Sequence, residues 1–331
     1  MELRWLDRER LDRRDVAGAL AVIEAARAVD SPHQLATIST NYNYLLRHGW
    51  DGDPPLAAVH VGSAGRVDAV LTIWLPRRDN THVAMVHVVV DPAARRAGLG
   101  RQLFEAGLAR AQEEGRRTII ASANSASAGV PFLETMGFTR AAEEVLRRQD
   151  PTAVDWARLE ELYAEAEDRA KGYELVYIAG STPDDMLDAV ATMTAAINDA
   201  PTEGLDIEDE EFPPERIRAF EEAMEARGRR LYHLVVRHVD SGELAGHTVV
   251  GVDVERPWFA NQFDTSVVRA HRGHRLGLLL KIGMLKWLAA EEAQIRILDT
   301  DNAASNSFMI GINDLIGYEV IGSVYEYQHK L

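Results

Sequence analysis

The fold of this chain is decided by Val90-Asp-Pro-Ala-Ala-Arg95-Arg-Ala-Gly98-Leu-Gly100, a stretch that returns in the second half as Val267-Val-Arg-Ala-His-Arg272-Gly-His-Arg275-Leu-Gly277. Each copy follows a β-branched run and precedes an apolar segment with helical periodicity. This order predicts a strand, a tight loop and a helix N-terminus, where free backbone N–H groups and the helix dipole favour a bound phosphate. We therefore interpret the chain as a duplicated nucleotide-binding unit.

The spacing of the glycines narrows the class of loop. The sequence Gly-x-x-x-x-Gly-Lys-Ser/Thr of a P-loop is absent, and Arg-x-x-Gly-x-Gly differs from the Gly-x-Gly-x-x-Gly of dinucleotide folds. Both copies instead resemble the GNAT superfamily of acyl-CoA-dependent N-acyltransferases, whose loop signature is Gln/Arg-x-x-Gly-x-Gly/Ala and whose domain ends in Gly-Phe/Tyr. Those endings stand at Gly137-Phe138 and Gly317-Tyr318. The tandem layout resembles that of mycothiol synthase.

Length and composition limit the classes of protein and partner. The 331 residues suffice for two cores, and the absence of cysteine excludes disulfides, a cysteine-rich zinc site and an acyl-cysteine intermediate. The chain has no apolar run of membrane-spanning length and no signal-peptide core at its start. The formal net charge of −16 disfavours nucleic acid as a ligand, since duplex binding depends on phosphate neutralisation. We expect a cytoplasmic protein with no metal site and no membrane or nucleic-acid partner; the oligomeric state stays open.

The elements repeat in the same order in both halves. Each half is expected to form an α+β (α/β) domain, in which a mixed, mostly antiparallel sheet is flanked by helices. We predict a first domain at residues 1–150, a charge-laced connecting helix at 151–172 and a second domain at 173–331. The second loop helix, predicted over 278–291, is apolar on nearly every side and should be buried. The GNAT resemblance implies that the fourth and fifth strands splay apart and that coenzyme A enters the gap.

The resemblance implies acetyl-CoA as cofactor, and the residues indicate how each loop would hold it. The amide-rich pantetheine arm can pair with the strand edge before the loop, while the pyrophosphate meets glycines and arginines at the helix N-terminus. The second loop departs from the family pattern at Arg275, which replaces the first glycine, constrains backbone approach and adds a cation. The predicted residues of the first copy are Val88, Val89, Val90, Arg95, Arg96, Ala97, Gly98, Leu99 and Gly100. Those of the second are Val267, Val268, Arg272, Gly273, His274, Arg275, Leu276 and Gly277.

The resemblance also implies positions for the residues that assist acyl transfer. In many family members an Asn near the end of the fifth strand supports the cofactor, and a Tyr on the next helix protonates the leaving thiolate. In the second copy these positions hold Asn306 and Asn313, whereas the first copy has Ala126 and Leu133. Asn306 is therefore assigned to cofactor binding, and Asn313 is placed among the catalytic candidates.

A base for the acceptor amine is the second requirement. Several family members carry a Glu upstream of the loop, but the corresponding residues here are Ala84 and Asn261, which cannot act as bases. Nearby ionisable candidates are Asp264 on the same predicted strand, with His87 as its counterpart in the first copy, and His247 on the preceding strand. Asp264 falls on the opposite face from Asn261 unless a β-bulge intervenes. A structural hydrogen bond is the alternative role for Asp264 and for His247.

An acidic segment, 202–215, precedes a helix in the second copy. The resemblance implies that this region caps the acceptor site, where its carboxylates would attract a cationic amine; a solvated loop is the alternative. We predict an acetyl-CoA-dependent N-acetyltransferase of a small-molecule amine, with catalysis in the second domain favoured. Two alternatives stay open: a non-catalytic acyl-CoA-binding protein, and an enzyme whose active half is the first domain.

Overall fold

The structure, a computed structural model, describes residues 3–331, in which helices and strands alternate along the chain. Its α-helices are α1 (Arg13–Asp30), α2 (Ser39–His48), α3 (Leu99–Glu113), α4 (Gly129–Thr135), α5 (Trp156–Arg169), α6 (Leu187–Thr194), α7 (Pro214–Ala226), α8 (Leu276–Glu291) and α9 (Ser307–Leu315). Its strands are β1 (Leu3–Trp5), β2 (Leu56–Val61), β3 (Val67–Trp74), β4 (Val83–Val90), β5 (Thr118–Asn124), β6 (Thr139–Gln149), β7 (Tyr173–Ala179), β8 (Arg229–His238), β9 (Leu244–Asp253), β10 (Phe259–Val267), β11 (Ile297–Ala303) and β12 (Glu319–Lys330).

The described chain divides into two compact units whose sequences interleave. Unit 1 contains the described residues up to Glu144, together with Thr202–Asp209 and Gly322–Leu331. Unit 2 contains Val145–Pro201 and Glu210–Ile321. These units differ from the contiguous stretches predicted from the repeat, because β6 begins in unit 1 and ends in unit 2 while β12 does the reverse.

In unit 1 the sheet runs β1-β2-β3-β4-β5-β12. The pairs β1–β2, β2–β3, β3–β4 and β5–β12 are antiparallel, whereas β4 and β5 run parallel in register from Val83–Thr118 to Met85–Ile120. Beyond that register β4 and β5 separate, while β12 pairs with β5 as far as Val324–Asn124. The predicted splay is therefore present in unit 1.

Helices cover both faces of the unit 1 sheet. Leu103 and Phe104 of α3 are buried on one face, and Val16 of α1 and Tyr42 of α2 are buried on the other. α1 begins after Asp12, whose carboxylate accepts hydrogen bonds from two backbone N–H groups of the first turn. This cap satisfies donors that have no partner within the helix.

In unit 2 the sheet runs β7-β8-β9-β10-β11 and ends with β6. β10 and β11 run parallel in register from Phe259–Ile297 to Asn261–Asp299 and then separate, as their counterparts do in unit 1. α8 supplies much of the core, with Leu280 and Ile282 both fully buried, which confirms the predicted burial of the second loop helix. α5 also packs into this core through Leu159, so the predicted connecting helix is a structural part of the unit.

The predicted fold class is confirmed: each unit is a mixed, mostly antiparallel sheet between helices, with the fourth and fifth strands of its repeat splayed. α2 and β1 were not predicted. Within residues 3–331, none of the helices combines the length and the apolar character needed to cross a membrane.

Candidate active site

The two glycine loops share one backbone shape. Two residues in each loop adopt the left-handed conformation, Arg96 (φ 68°) and Gly98 (φ 81°) in the first and Gly273 (φ 88°) and Arg275 (φ 56°) in the second. Each loop therefore holds one arginine in a conformation that costs a non-glycine residue about 1–2 kcal/mol. Arg275 keeps the turn that Gly98 makes in the first loop, and the loop helix starts directly after each of them.

Arg95 is held by protein groups. Its guanidinium donates two hydrogen bonds to the Asp30 carboxylate, at 3.0 and 2.5 Å, and its Nε donates to the Val90 carbonyl at 3.2 Å. A bidentate pair of this kind is among the stronger polar contacts in proteins. Arg95 thus fastens the loop to the end of α1.

Arg96 is the cation that the first loop leaves available. Its side chain is exposed, borders the cavity described next, and forms no ion pair with any of residues 3–331. Gly273 takes its place in the second loop, so the repeat does not conserve this cation. Of the other predicted residues of the first loop, Ala97 is exposed and Leu99 packs against the core.

A cavity of about 710 Å³ opens in unit 1 where β4 and β5 separate. Val88, Val89 and Val90 form one side of it, and Ser122 and Asn124 of β5 form another. The three valines pair with β3 on one backbone edge, and the register with β5 ends before them, so their second edge borders the cavity. An extended, amide-rich ligand can add to such an edge as a strand does.

The N-terminus of α3 completes an anion site at the end of this cavity. The N-cap residue of α3 is Gly98, and within the described structure no side chain caps the helix. The N–H groups of the first helical turn therefore lack acceptors within the helix. Gly100 leaves space there, since an added Cβ would lie 3.6 Å from Val90 and 3.7 Å from Phe132. The free strand edge, the N–H groups and Arg96 fit a ligand with an amide-rich arm and a pyrophosphate, as in acetyl-CoA.

The segment after α1 forms a further wall of the cavity. Gln34 donates a hydrogen bond to the side-chain oxygen of Asn124 at 3.3 Å, and Arg27 donates to the Gln34 carbonyl at 2.7 Å. His87 of β4 borders the same cavity. His87 is solvent-exposed, but the protein around its ring lowers its pKa, so the ring is neutral at pH 7 and can accept a proton.

The arginines of the second loop are engaged with carboxylates. Arg269 and Arg272 each lie 2.6 Å from the Asp199 carboxylate, and Arg275 lies 2.8 Å from that of Glu165. Such exposed pairs contribute little stability individually. These carboxylates nevertheless neutralise part of the positive charge that we expected to bind phosphate.

The other predicted residues of the second loop make structural contacts. The ring of His274 packs on that of Tyr173, with centroids 5.3 Å apart. Leu276 is buried, and a Cβ on Gly277 would lie 3.2 Å from Ile312, which is tighter than the contact at Gly100. Val267 and Val268 pack against the buried clusters of unit 2.

Asn306 and Asn313 both have protein partners. The Asn306 side chain caps α9 by accepting a hydrogen bond from the Met309 N–H at 3.2 Å. Asn313 is fully buried; it accepts a hydrogen bond from the Lys281 ammonium at 2.5 Å and donates one to Asn302 at 2.6 Å. Asn313 therefore supports a buried lysine, and its role in catalysis stays a prediction.

Lys281 lies at a position of the second repeat whose counterpart in unit 1 belongs to an apolar cluster. Burial, with Arg147 nearby, lowers the pKa of its amine to about 7. The Tyr318 ring lies 4.9 Å from the ammonium nitrogen. Counting through the repeat, Lys281, Asn313 and Tyr318 correspond to Phe104, Leu133 and Phe138, all buried in unit 1.

His247 is buried on β9. Its Nδ1 lies 3.0 Å from Nε2 of His233, and its own Nε2 has no hydrogen-bond partner in the described structure. Burial lowers its pKa to about 4, so the ring is neutral at pH 7. Its role as a base stays a prediction.

Asp264 lies within a β-bulge. The register of β10 with β9 shifts between Gln262 and Thr265, which is the irregularity on which its orientation was expected to depend. Loss of hydration, together with Glu210 and Asp301, raises the pKa of Asp264 to about 6, although solvent still reaches the residue. An accessible carboxylate that titrates near neutrality can act as a base.

Residues 202–209 of the acidic segment, which we call the strap, are ordered within unit 1. Asp206 accepts a hydrogen bond from the Thr118 hydroxyl at 2.8 Å, and its N–H donates to the Gln328 side chain at 2.9 Å. Gln328 in turn donates to the Gly204 carbonyl at 2.7 Å. This part of the segment, expected to cap the second copy, belongs to the first unit.

Ser122, Asn124 and Gln34 are cavity residues that the sequence analysis missed. Ser122 and Asn124 carried a signal, because polar residues at alternate positions end an otherwise apolar strand. Gln34 carried none, since the segment around it has no periodicity.

The family model described as an acetyltransferase (GNAT) domain matches residues 71–151, which contain β4, its glycine loop and α3. The first half of the chain contains a GNAT acetyltransferase domain. The chain as a whole has the tandem GNAT layout, and its matched domain resembles those of N-acyltransferases. The family generally uses acetyl-CoA.

Solved structures agree with this layout. A tandem GNAT protein from the clavulanic acid biosynthesis pathway is 27% identical, with 99% of this chain and 98% of that one covered and a TM-score of 0.79. A GCN5-related N-acetyltransferase from Sphaerobacter thermophilus is 16% identical over 99% and 95%, with a TM-score of 0.67. A glucosamine N-acetyltransferase region of a fungal GH3 β-N-acetylglucosaminidase is 11% identical over 99% and 38%, with a TM-score of 0.68. The last two show the fold alone. A comparison with curated proteins gave no match.

Proposed function

We propose that the protein transfers an acetyl group from acetyl-CoA to the amine of a small molecule, and that the reaction takes place in the cavity of unit 1. The observation that carries this proposal is that one cavity combines three features. They are a free strand edge, a helix N-terminus without a side-chain cap, and Arg96, which forms no ion pair with any of residues 3–331. The GNAT domain match covers the same strand and loop. The acyl-transfer positions in the sequence favoured the second domain, with the first as an alternative.

The binding roles follow from the chemistry of each wall. The β4 edge at Val88–Val90 would pair with the pantetheine arm, and the α3 N-terminus with Arg96 would hold the pyrophosphate. Arg95, through Asp30, would keep the loop in place without contacting the phosphates. Acetyl-CoA, when bound, supplies an acyl thioester that an amine can attack.

We expect the transfer to be direct, within a ternary complex. The chain has no cysteine to carry the acyl group, so the protein's task is to orient the acceptor, stabilise the carbonyl oxygen and remove a proton from the ammonium. Ser122 and Asn124 offer hydrogen-bond donors on the β5 wall, and neutral His87 offers an acceptor on the β4 wall.

A second site in unit 2 is the competing assignment, and the observation that favours it is Asp264. Its accessible carboxylate has a pKa of about 6 and lies on the strand that leads into the second loop. If this site is the active one, Asp264→Asn should lower acetyl transfer and shift its pH profile. Unchanged turnover at every pH would remove Asp264 from the reaction.

The main test is Gly100→Glu, which puts a carboxylate at the N-terminus of α3. The added Cβ fits, and an acidic residue suits a helix N-terminus, so we expect the fold to keep its stability. The same charge repels a pyrophosphate and competes for its N–H donors. We expect acetyl-CoA to bind roughly 100-fold more weakly in isothermal titration calorimetry, as when two charge-assisted hydrogen bonds are lost.

Two variants control this test. Gly277→Glu makes the same change in the second loop and should leave binding in unit 1 unaltered. Gly100→Ala adds the Cβ without the charge and should bind acetyl-CoA nearly as well as the unmodified protein. Loss of binding and of thiol release in Gly277→Glu alone would place the reaction in unit 2, and a wild-type protein that does not bind acetyl-CoA would refute the proposal.

A further inference from the structure

Glu326 comes from the far end of the sequence and lies beside the unit 1 cavity. In the antiparallel register of β12 with β5, Val324 lies opposite Asn124 and Glu326 lies opposite Ser122. Directly opposed residues project from the same face, with Cβ atoms about 4.5–5.5 Å apart. Val324, Asn124 and Ser122 all border the cavity, so Glu326 stands on its face of the sheet, one pair beyond Val324.

The carboxylate of Glu326 has no structural partner. It forms no hydrogen bond or ion pair with any of residues 3–331, and the residue is only partly exposed. Loss of hydration alone raises its pKa to about 7. A half-buried carboxylate without a partner destabilises the fold. Its contacts therefore give it no role in holding the unit together.

Most of the charged groups around Glu326 have partners of their own. Asp206 of the strap lies 3.2 Å from Lys330 and is bound by Thr118, and on β6 Glu143 pairs with Arg140. The side chains of β5 on this face carry no charge. The remaining titratable groups on the elements around the cavity are His87 of β4, Arg27, which pairs with Glu24, Asp30, which pairs with Arg95, His33, which packs on Gly322, Arg96 of the loop, and Arg101 of α3, which lies 3.8 Å from Glu105.

We propose that Glu326 is the general base that deprotonates the acceptor ammonium in unit 1, a role that rests on the function proposed above. It is a catalytic residue contributed by the last strand of the second repeat to the site of the first. His87 lies across the splay on β4, beside the strand edge proposed for the pantetheine arm. Glu326 lies opposite Ser122 of β5, and two residues further along β12 the Gln328 side chain binds the strap.

Glu326 accepts one proton from the acceptor ammonium, and the freed nitrogen forms a bond to the acyl carbon while the carbon–sulfur bond breaks. The electron pair of that bond leaves on sulfur, which takes up the second nitrogen proton to become a thiol. Glu326 then releases its proton to solvent.

The experiment compares the full-length wild type with Glu326→Gln. Thiol release from acetyl-CoA is followed with spermidine, kanamycin and glucosamine as amine probes, from about pH 5.5 to 9. We expect kcat to fall by roughly 100- to 1,000-fold in Glu326→Gln, since a positioned base contributes on this scale. The acetyl-CoA Kd should stay within about twofold, because the strand edge and the α3 N-terminus are unchanged. The wild-type profile should rise through about pH 7, and this rise should be absent from the variant.

A second readout needs no bound cofactor. Infrared titration of the protein alone should show a carboxyl band that is lost on deprotonation near pH 7 in the wild type and is missing in Glu326→Gln. Glu134→Gln is the matched control, since Glu134 contacts the Tyr327 hydroxyl on the other face of β12. It should leave turnover and the band unchanged.

The outcomes separate the two proposals. Unchanged kcat and pH profile in Glu326→Gln, with acetyl-CoA binding and thiol release intact, would overturn the role of Glu326 and leave the proposed function standing. A wild type that binds no acetyl-CoA would overturn both. If none of the probes is turned over, the infrared titration decides: a band titrating near 7 supports the proposal, and one near the ordinary value of 4.5 overturns it.

Discussion

Asn313→Leu is expected to lower the free energy of unfolding by about 2–3 kcal/mol at pH 7, because it removes the hydrogen-bond acceptor of the buried Lys281 amine. Lys281 is 2% exposed and Asn313 is 0% exposed, so water cannot replace the lost amide. The face of the Tyr318 ring is the contact that remains. Urea denaturation followed by circular dichroism measures the change.

The double variant Lys281→Met/Asn313→Leu should behave in the opposite way. It turns the polar cluster of unit 2 into an apolar one like that of unit 1, where Phe104 and Leu133 occupy the same places in the repeat. Replacing a buried, charged network with apolar side chains of similar size is often neutral or stabilising by about 1–4 kcal/mol. A double variant less stable than Asn313→Leu would show that the lysine is not the group whose burial is costly.

The pH dependence of stability gives an independent check on Lys281. Its folded pKa is lowered to about 7 from 10.5, so between these values the unfolded chain holds a proton that the folded chain does not. The free energy of unfolding gains a term that rises with pH across this window, by up to about 5 kcal/mol. Lys281→Met should remove that rise and leave the pH dependence below 7 largely unchanged.

Local patterns predicted the repeated elements and the two loops well. The second loop helix was predicted over 278–291, and α8 begins two residues earlier and ends at 291. These predictions succeed because period and glycine position are local properties of the chain. The left-handed conformation of Arg275 shows the limit of such reasoning: the sequence marked the substitution, but the turn survives it.

Pairings between distant residues could not be predicted in this way. Arg95 and Arg96 are neighbours in one loop, and the presence of Asp30 at the end of α1 decides which of them stays free for a ligand. In the second loop three arginines form ion pairs, two of them with Asp199 and one with Glu165. Charge counts along the sequence contain no information about these partners.

The strands that close the two repeats, β6 and β12, each cross into the other unit, and this exchange is the largest feature that the sequence did not predict. An alternating pattern over residues 319–330 specifies which side chains share a face, but it does not specify the neighbouring strand. Reading the repeat as two contiguous domains therefore assigned Glu326 to the second. The register with β5 puts it opposite Ser122 in unit 1.

Glu326→Gln is expected to raise the free energy of unfolding by about 2–3 kcal/mol at pH 8, while lowering activity. The folded pKa is raised to about 7 from 4.5, so between these values the folded chain holds a proton that the unfolded chain has lost. The stability of the wild type therefore falls as pH rises through this window, and above pH 7 the full cost of the buried carboxylate is present. A neutral glutamine avoids that cost.

Thermal unfolding at pH 5 and pH 8 measures this difference. The two proteins should unfold at similar temperatures at pH 5, where the folded wild type keeps Glu326 protonated, and the variant should be the more stable at pH 8. Glu134→Gln should show no such divergence. When a functional group is buried at an energetic cost, its removal raises the stability of the fold and lowers turnover. Equal stability at both pH values would mean that Glu326 is well hydrated, and would argue against it as the base.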